Sequence, residues 1–152
     1  NDDSITNIID KLPDQLIVHT SGSTSIDVFK NKKSHGVIYP VQSLTSQTKA
    51  NFQKTPICIE GNSKEVVSRL TKLTQKISSN VKILSSENRK YLHLAAVISS
   101  NFSNYCYLIA KSILDQKDID FKLLKPLLIQ TTKKILQELL IQIKLDQLEE
   151  VI

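Results

Sequence analysis

Residues 16–45 read LIVHTSGSTSIDVFKNKKSHGVIYPVQSLT, two short apolar runs that each break into a loop rich in glycine, proline or hydroxyl side chains. The β-branched pair Ile17-Val18 predicts a strand. Gly22 permits a tight turn after it, and Ser23 or Thr24 is placed to N-cap a short helix starting near Ile26. Val37-Ile38-Tyr39 predicts a second strand that stops at Pro40, which has no N–H for a ladder and pushes the residue before it into extended geometry. Ligands of open α/β sheets bind beyond the carboxyl ends of strands, so Thr20, Ser21, Ser23, Tyr39 and Gln42 are the first places to look for binding groups.

Upstream, Ile5, Ile8, Ile9 and Leu12 recur at helical spacing and predict about two turns over 4–11, with Asp2 or Asp3 as the cap. Downstream, a polar loop over 43–54 precedes Pro56-Ile57-Cys58-Ile59-Glu60-Gly61, a strand leaving through glycine. A helix over 63–77 capped by Asn62 or Ser63 follows, then a short strand over 81–84. Strands separated by helical segments predict an α/β fold with a mostly parallel sheet. From Ser85 onward only helical patterning remains. Ser86 heads a segment reaching about Gln116, and a second runs from Asp120 toward the C-terminus with a bend at Pro126. The boundary falls near Ser85, between a sheet-bearing portion over 1–84 and an all-α portion of long helices over 85–152.

At 152 residues, 40% hydrophobic and 23% charged, the chain suits one compact domain or two small ones. Its net charge of +5 comes from 18 Lys and only 2 Arg spread along the sequence, and aromatics make up 5%. Nucleic-acid surfaces favour arginine forks and aromatic platforms, so a nucleic-acid partner is not expected. Cys58 and Cys106 have no metal-ligand spacing and read as small buried apolar residues in a reduced, cytoplasmic setting. No metal constellation is visible, and no run is apolar and long enough to span a bilayer. The chain begins Asn-Asp-Asp-Ser and contains no Met, which suggests an internal fragment of a longer protein.

On a wheel of about 100° per residue, Lys90, His93, Val97, Ser100, Asn101 and Asn104 share one stripe of the first long helix. Leu92, Ala95, Ala96, Ser99, Ser103, Cys106 and Ala110 fall opposite, where small side chains let another helix approach closely. A polar stripe on a packed helix is costly unless its groups find partners, so the stripe implies a hydrogen-bond network or a ligand pocket.

In order along the chain, VHTSGSTSIDVF, GVIYPVQSLT, ICIEG and SSENRKYLHLAAVISSNFSNYCYLIA resemble a family of Rossmann-like, oxidoreductase-type proteins without an assigned substrate. Its members join an N-terminal NAD(P)-binding domain to a helical C-terminal domain of unknown function. In build they are similar to pyrroline-5-carboxylate reductase, deazaflavin-dependent NADP oxidoreductase and the 6-phosphogluconate dehydrogenase superfamily. The resemblance covers roughly residues 2–136. It implies an incomplete Rossmann-like sheet over 1–84, followed by a helical dimerisation or substrate domain over 85–152, with NADP or NAD as cofactor once the missing N-terminal portion is present.

Carried over by position, the resemblance places Thr20, Ser21, Gly22 and Ser23 beside the cofactor, with Thr20 and Ser21 on the nicotinamide side. Tyr39, Pro40 and Gln42 match a segment that in many members reads His-Pro-Leu-Gln, and with Asn104 they form the implied substrate-binding set. Tyr39 departs from that pattern, replacing an imidazole by a phenol. Lys90, His93 and Asn101 match the Lys, His and Asn of the family's first long helix, which implies His93 or Lys90 as proton donor and Asn101 as orienter. The G-x-G-x-x-G turn that seats a pyrophosphate is absent, as is the first βαβ unit.

Each residue also has a structural reading. His93 can serve as a hydrogen-bonded core residue, His19 as a strand-end structural residue, and His35, beside Lys32 and Lys33, reads as solvated loop. Two functions remain: an NAD(P)-dependent oxidoreductase acting on a small carbonyl, imine or hydroxy compound, and a non-catalytic metabolite-binding or dimerisation module. The small-residue face and the leucine-rich second helix predict a homodimer.

Overall fold

The structure is a computed structural model that describes residues 2–43 and 51–149. Most of the polar loop expected over 43–54 lies outside the described residues. Four strands, β1 (Ile17–His19), β2 (His35–Pro40), β3 (Ile57–Gly61) and β4 (Val81–Ile83), form one sheet in sequential order. β1 runs parallel to β2 and β3 parallel to β4, while β2 and β3 are antiparallel, with Tyr39 opposite Cys58. The sheet is therefore mixed and mostly parallel, as the alternation of strand and helix predicts. Because β1 and β2 are parallel, the Thr20–Ser23 loop and the segment after Tyr39 leave the sheet at the same edge.

The two-residue period of a strand sorts side chains onto two faces. Ile57 and Ile59 pack with Val66 and Leu70 of α2 (Lys64–Thr74), joined by Ile38. Val37, Tyr39 and Cys58 point the other way and pack against Leu92 of α3 (Ser86–Ala96). Helix α2 forms where expected: the Ser63 hydroxyl accepts from the Val66 N–H, Glu65 sits in the first turn, and Val66, Leu70 and Thr74 recur every four residues on the buried side. Each fully buried Leu or Ile contributes roughly 1.5–3 kcal/mol relative to exposure. A third cluster joins Ile9, Ile17 and Phe29.

Local departures have identifiable causes. The two turns near the N-terminus are an Asp2–Ser4 3-10 turn, the short α1 (Ile5–Ile8) and a further 3-10 turn at Ile9–Lys11. Asp2 does not cap them, because its carboxylate takes the hydroxyls of Ser21 and Ser23 instead. The short helix after the first loop is a 3-10 turn, Ile26–Phe29, capped by Ser25 rather than by Ser23 or Thr24. His35 is not solvated: its Nδ1–H donates to the Lys32 carbonyl at 2.8 Å, and its ring packs edge-on to Phe29. Cys58 is buried as expected, whereas Cys106 is exposed.

The chain divides into two compact units, Asn1–Ser103 and Asn104–Ile152, so α3 groups with the sheet. The long helix is α-helical to Ala96, widens into a π turn over Val97–Phe102, and continues as α4 (Ser103–Asp115). Asp118 then adopts a left-handed conformation (φ 53), which Asp tolerates better than most residues. A 3-10 turn, Phe121–Leu124, leads into α5 (Lys125–Glu149). Pro126 does not bend α5; it occupies the first turn, where its missing N–H removes no helical bond.

Candidate functional site

The loop after β1 is tied together by its own hydroxyls. The Ser21 hydroxyl donates to Asp2 at 2.6 Å and accepts from the backbone N–H groups of Ser23 (3.2 Å) and Thr24 (3.0 Å). These bonds hold the Asp2 carboxyl below the usual carboxylate range, with Ser21 the largest cause. The Ser21 N–H donates to His19 Nδ1 at 3.2 Å, so His19 carries its proton on Nε2. Burial, reinforced by the Arg89 charge, pushes the His19 pKa down and keeps the ring neutral.

Beyond the turn, Gly22 lies directly against a second histidine. A Cβ built on Gly22 would sit 2.5 Å from His93 Nδ1 and 2.9 Å from Tyr39 Cε2, so only glycine fits. His93 Nδ1 and the Tyr39 hydroxyl are 3.0 Å apart, with the rings edge to face at 5.8 Å. Burial raises the phenol pKa of Tyr39, so its proton is retained.

This pair borders a cavity of about 370 Å³. Tyr39, Val41, Gln42 and Ser43 line it from the exit of β2; His93, Ser99, Ser100 and Asn101 line it from the helix, above Ala96 and Val97. Gln42 is held by the Thr55 hydroxyl, which donates to its Oε1. The π turn matters here. Its wider winding alters the phase of a regular wheel at Ser99, while Ala96 lies three residues after His93 within regular α3; both were expected on the opposite face, and both line the same cavity as His93.

Of the residues implied for catalysis, the structure brings His93 and Asn101 together, while Lys90 is exposed and lines no part of this cavity. Asn104 belongs to the second unit. Gly22 touches the His93–Tyr39 pair, and Ser21 borders a separate cavity of about 260 Å³ with Asp2 and His19. Thr20 also borders that cavity, Ser23 is exposed, and Pro40 is half-buried at the end of β2.

Sequence reasoning passed over Arg89 and Glu60. Arg89 is almost wholly enclosed; its Nη1 forms an ion pair with Glu60, and its Nη2 donates to the Thr24 carbonyl and to Ser86 Oγ. Glu60 also accepts from the Ser86 N–H at 2.9 Å and hydroxyl at 2.7 Å, and Ser86 Oγ accepts from the Ile26 N–H. The network ties the end of β3, the start of α3 and the loop after Ser23, and thereby sets where His93 meets Gly22. A signal was present: an arginine among so many lysines marks a site that needs a planar fork. Among the described residues no cluster of three His, Cys, Asp or Glu could hold a metal, and no helix is long and apolar enough to cross a membrane.

Comparison with known proteins follows the same architecture. BF3122 from Bacteroides fragilis, described as a "putative NADP oxidoreductase", superposes with a TM-score of 0.80 at 32% identity, over 88% of this chain and 52% of its own. Protein TM1727 from Thermotoga maritima gives a TM-score of 0.71 at 27% identity, over 91% of this chain and 56% of its own. The chain spans about half the length of these solved proteins. A search of curated proteins returns no match. Residues 55–143 match the family described as a domain of unknown function (DUF2520). With that match running through β3, α2 and the long helix bearing His93, the chain belongs to the DUF2520 family and carries a Rossmann-like, oxidoreductase-type fold.

Proposed function

We propose that this chain supplies the substrate side of an NAD(P)-dependent oxidoreductase acting on a small carbonyl, imine or hydroxy compound. The observation that carries the reading is the His93–Tyr39 pair against Gly22, at the edge of a cavity whose other polar groups are Gln42, Ser43, Ser99, Ser100 and Asn101. Such a cavity offers hydrogen bonds with no carboxylate, lysine or arginine among its described lining residues, which suits a small polar reacting group.

The residues present fit one end of a dinucleotide and not the other. The three glycines, Gly22, Gly36 and Gly61, are far apart in sequence, so no glycine-rich turn is available for the diphosphate. The loop Thr20–Ser23 is the segment that would hold the nicotinamide end. When bound, a reduced nicotinamide would supply the hydride. His93 and Asn101 would orient and polarise the acceptor, and water, admitted past the exposed Ser99 and Asn101, would supply the proton that completes the reduction.

Titration of the 152-residue chain with reduced nicotinamide mononucleotide and with NADPH, read by amide NMR, tests this. The expected result is weak binding of both, with shifts at Gly22 and Asn101 and no gain from the adenylate half. Failure of either ligand to shift those amides at millimolar concentration overturns the reading, and micromolar NADPH binding overturns the assignment of a missing phosphate cradle. A dimerisation role stands beside this one. The observation favouring it is the exposed apolar surface of the second unit, including Leu123, Leu127, Leu136 and Leu139. Light scattering should give a dimer mass, with an interface of roughly 1,200 Å² or more; a concentration-independent monomer that stays in solution removes it.

A further inference from the structure

We propose that Tyr39 is a positioning residue for His93: its phenol O–H donates to Nδ1, holding the imidazole as the Nε2–H tautomer with that N–H presented to the cavity. The 3.0 Å contact alone leaves two arrangements open, since a histidine Nδ1 either donates to the phenol oxygen or accepts from it. The burial of the phenol decides between them, and the position of Gly22 tells which edge of the ring is covered.

First, Tyr39 is buried and keeps its proton, and a buried O–H needs an acceptor. Among the described residues the hydrogen-bonding partner of that hydroxyl is His93 Nδ1. If Nδ1 carried a hydrogen, the phenol hydrogen would lose that acceptor. Second, Gly22 lies against the Nδ1 and Cγ atoms, at 2.5 and 2.7 Å from a Cβ built there, so the loop covers that side of the ring. The Nε2 edge is what remains to line the cavity.

The assignment changes what His93 does. A neutral ring with Nε2–H is a hydrogen-bond donor that polarises an acceptor atom, rather than a cationic acid that surrenders its proton outright. Resting on the oxidoreductase reading above, it narrows the substrate to a group with a lone pair at the reacting atom, a carbonyl oxygen or an unprotonated imine nitrogen. A protonated iminium has no lone pair to receive the bond.

Long-range proton–nitrogen correlation spectra of the nitrogen-15-labelled chain in mildly alkaline buffer read each imidazole directly, with His93→Gln assigning the signals. Two internal standards exist. His19 accepts at Nδ1 and should show Nε2–H; His35 donates from Nδ1 to a carbonyl and should show Nδ1–H. His93 is expected to match His19, with its Nδ1 resonance displaced by the accepted bond, and Tyr39→Phe should return that resonance toward the free position while Nδ1–H appears as a second tautomer. An Nδ1–H ring in the wild type, or an Nδ1 resonance unmoved by Tyr39→Phe, overturns the proposal. If Tyr39→Phe fails to fold, seen as loss of the His19 and His35 patterns, the wild-type tautomer still decides. The spectra require no cofactor. An Nε2–H ring in a chain whose Gly22 and Asn101 amides ignore both nicotinamide ligands breaks only the oxidoreductase reading, and an Nδ1–H ring in a chain whose amides respond breaks only this one.

Discussion

Helices α2 and α5 are built from similar material and end in opposite situations. In α2, Val66, Leu70 and Thr74 repeat every four residues, fall on one side and are buried against the sheet. In α5, Leu127, Leu128 and Ile129 are consecutive, as are Ile135 and Leu136, so successive apolar side chains point about 100° apart and no single face collects them. The result carries through each unit. The first has three hydrophobic clusters and an enclosed ion pair, whereas the described residues of the second include none that is buried, and Leu136 is 57% exposed. A unit whose described residues enclose no interior has little to hold it by burial, whereas a unit with an interior is stabilised by itself.

The largest effect that would break this contrast lies in the ion pair. Arg89→Ala leaves Glu60 facing an enclosed space without its partner and should cost roughly 3–5 kcal/mol in urea unfolding. A loss below about 1 kcal/mol would show that water replaces the guanidinium and that the loop, α3 and β3 do not depend on it. Next, Leu70→Ala should cost roughly 2–5 kcal/mol, while Leu136→Ala should change unfolding of the monomer by less than about 0.5 kcal/mol and act instead on self-association. Equal effects of the two substitutions on the monomer would mean that the second unit has an interior after all.

Within the first unit, Gly22→Ala sharpens the comparison by loading the site and not the core. The added methyl meets His93 Nδ1 and Tyr39, so a cost of about 1–3 kcal/mol and loss of the His93–Tyr39 hydrogen bond are expected, with the α2 cluster unperturbed by NMR. The smallest effect is on acid stability. His19 has its folded pKa below the ordinary 6.5, so the unfolded chain takes up the proton first as pH falls. Its contribution is complete above about 6.5 and is lost through the window between that value and the lowered one. Asp2, also lowered, adds a loss in the same direction at more acid pH. Urea midpoints measured between neutral pH and about pH 5 should fall, and His19→Gln should flatten that slope. An unchanged slope would assign the acid sensitivity to other groups.

The legible parts of this molecule are those set by near neighbours. Strand starts at Ile17 and Ile57 follow from β-branched runs. The Ser63 cap follows from a hydroxyl placed before apolar periodicity, and the mostly parallel sheet follows from alternation of the two patterns. The pairing of a Tyr39-bearing strand end with a His93-bearing helix was expected from the polar stripe of the helix and the strand-end loops, with the resemblance beside them. Lys90 shows the limit of the wheel, since it shares a stripe with Asn101 in an ideal helix, yet that stripe runs onto solvent at one end and into the cavity at the other.

Composition and local spacing by themselves determined the order of strands and helices, the Ser63 cap and the apolar excess of the second unit, because each depends on residues within a turn or two of one another. The tertiary structure alone decided that His35 is enclosed, that β2 and β3 run antiparallel and that Arg89 closes on Glu60. It also decided that Gly22 must be bare because His93, 71 positions later in the numbering, lies against it. Those outcomes rest on contacts between residues far apart in the chain, where sequence spacing carries no distance and only packing assigns partners.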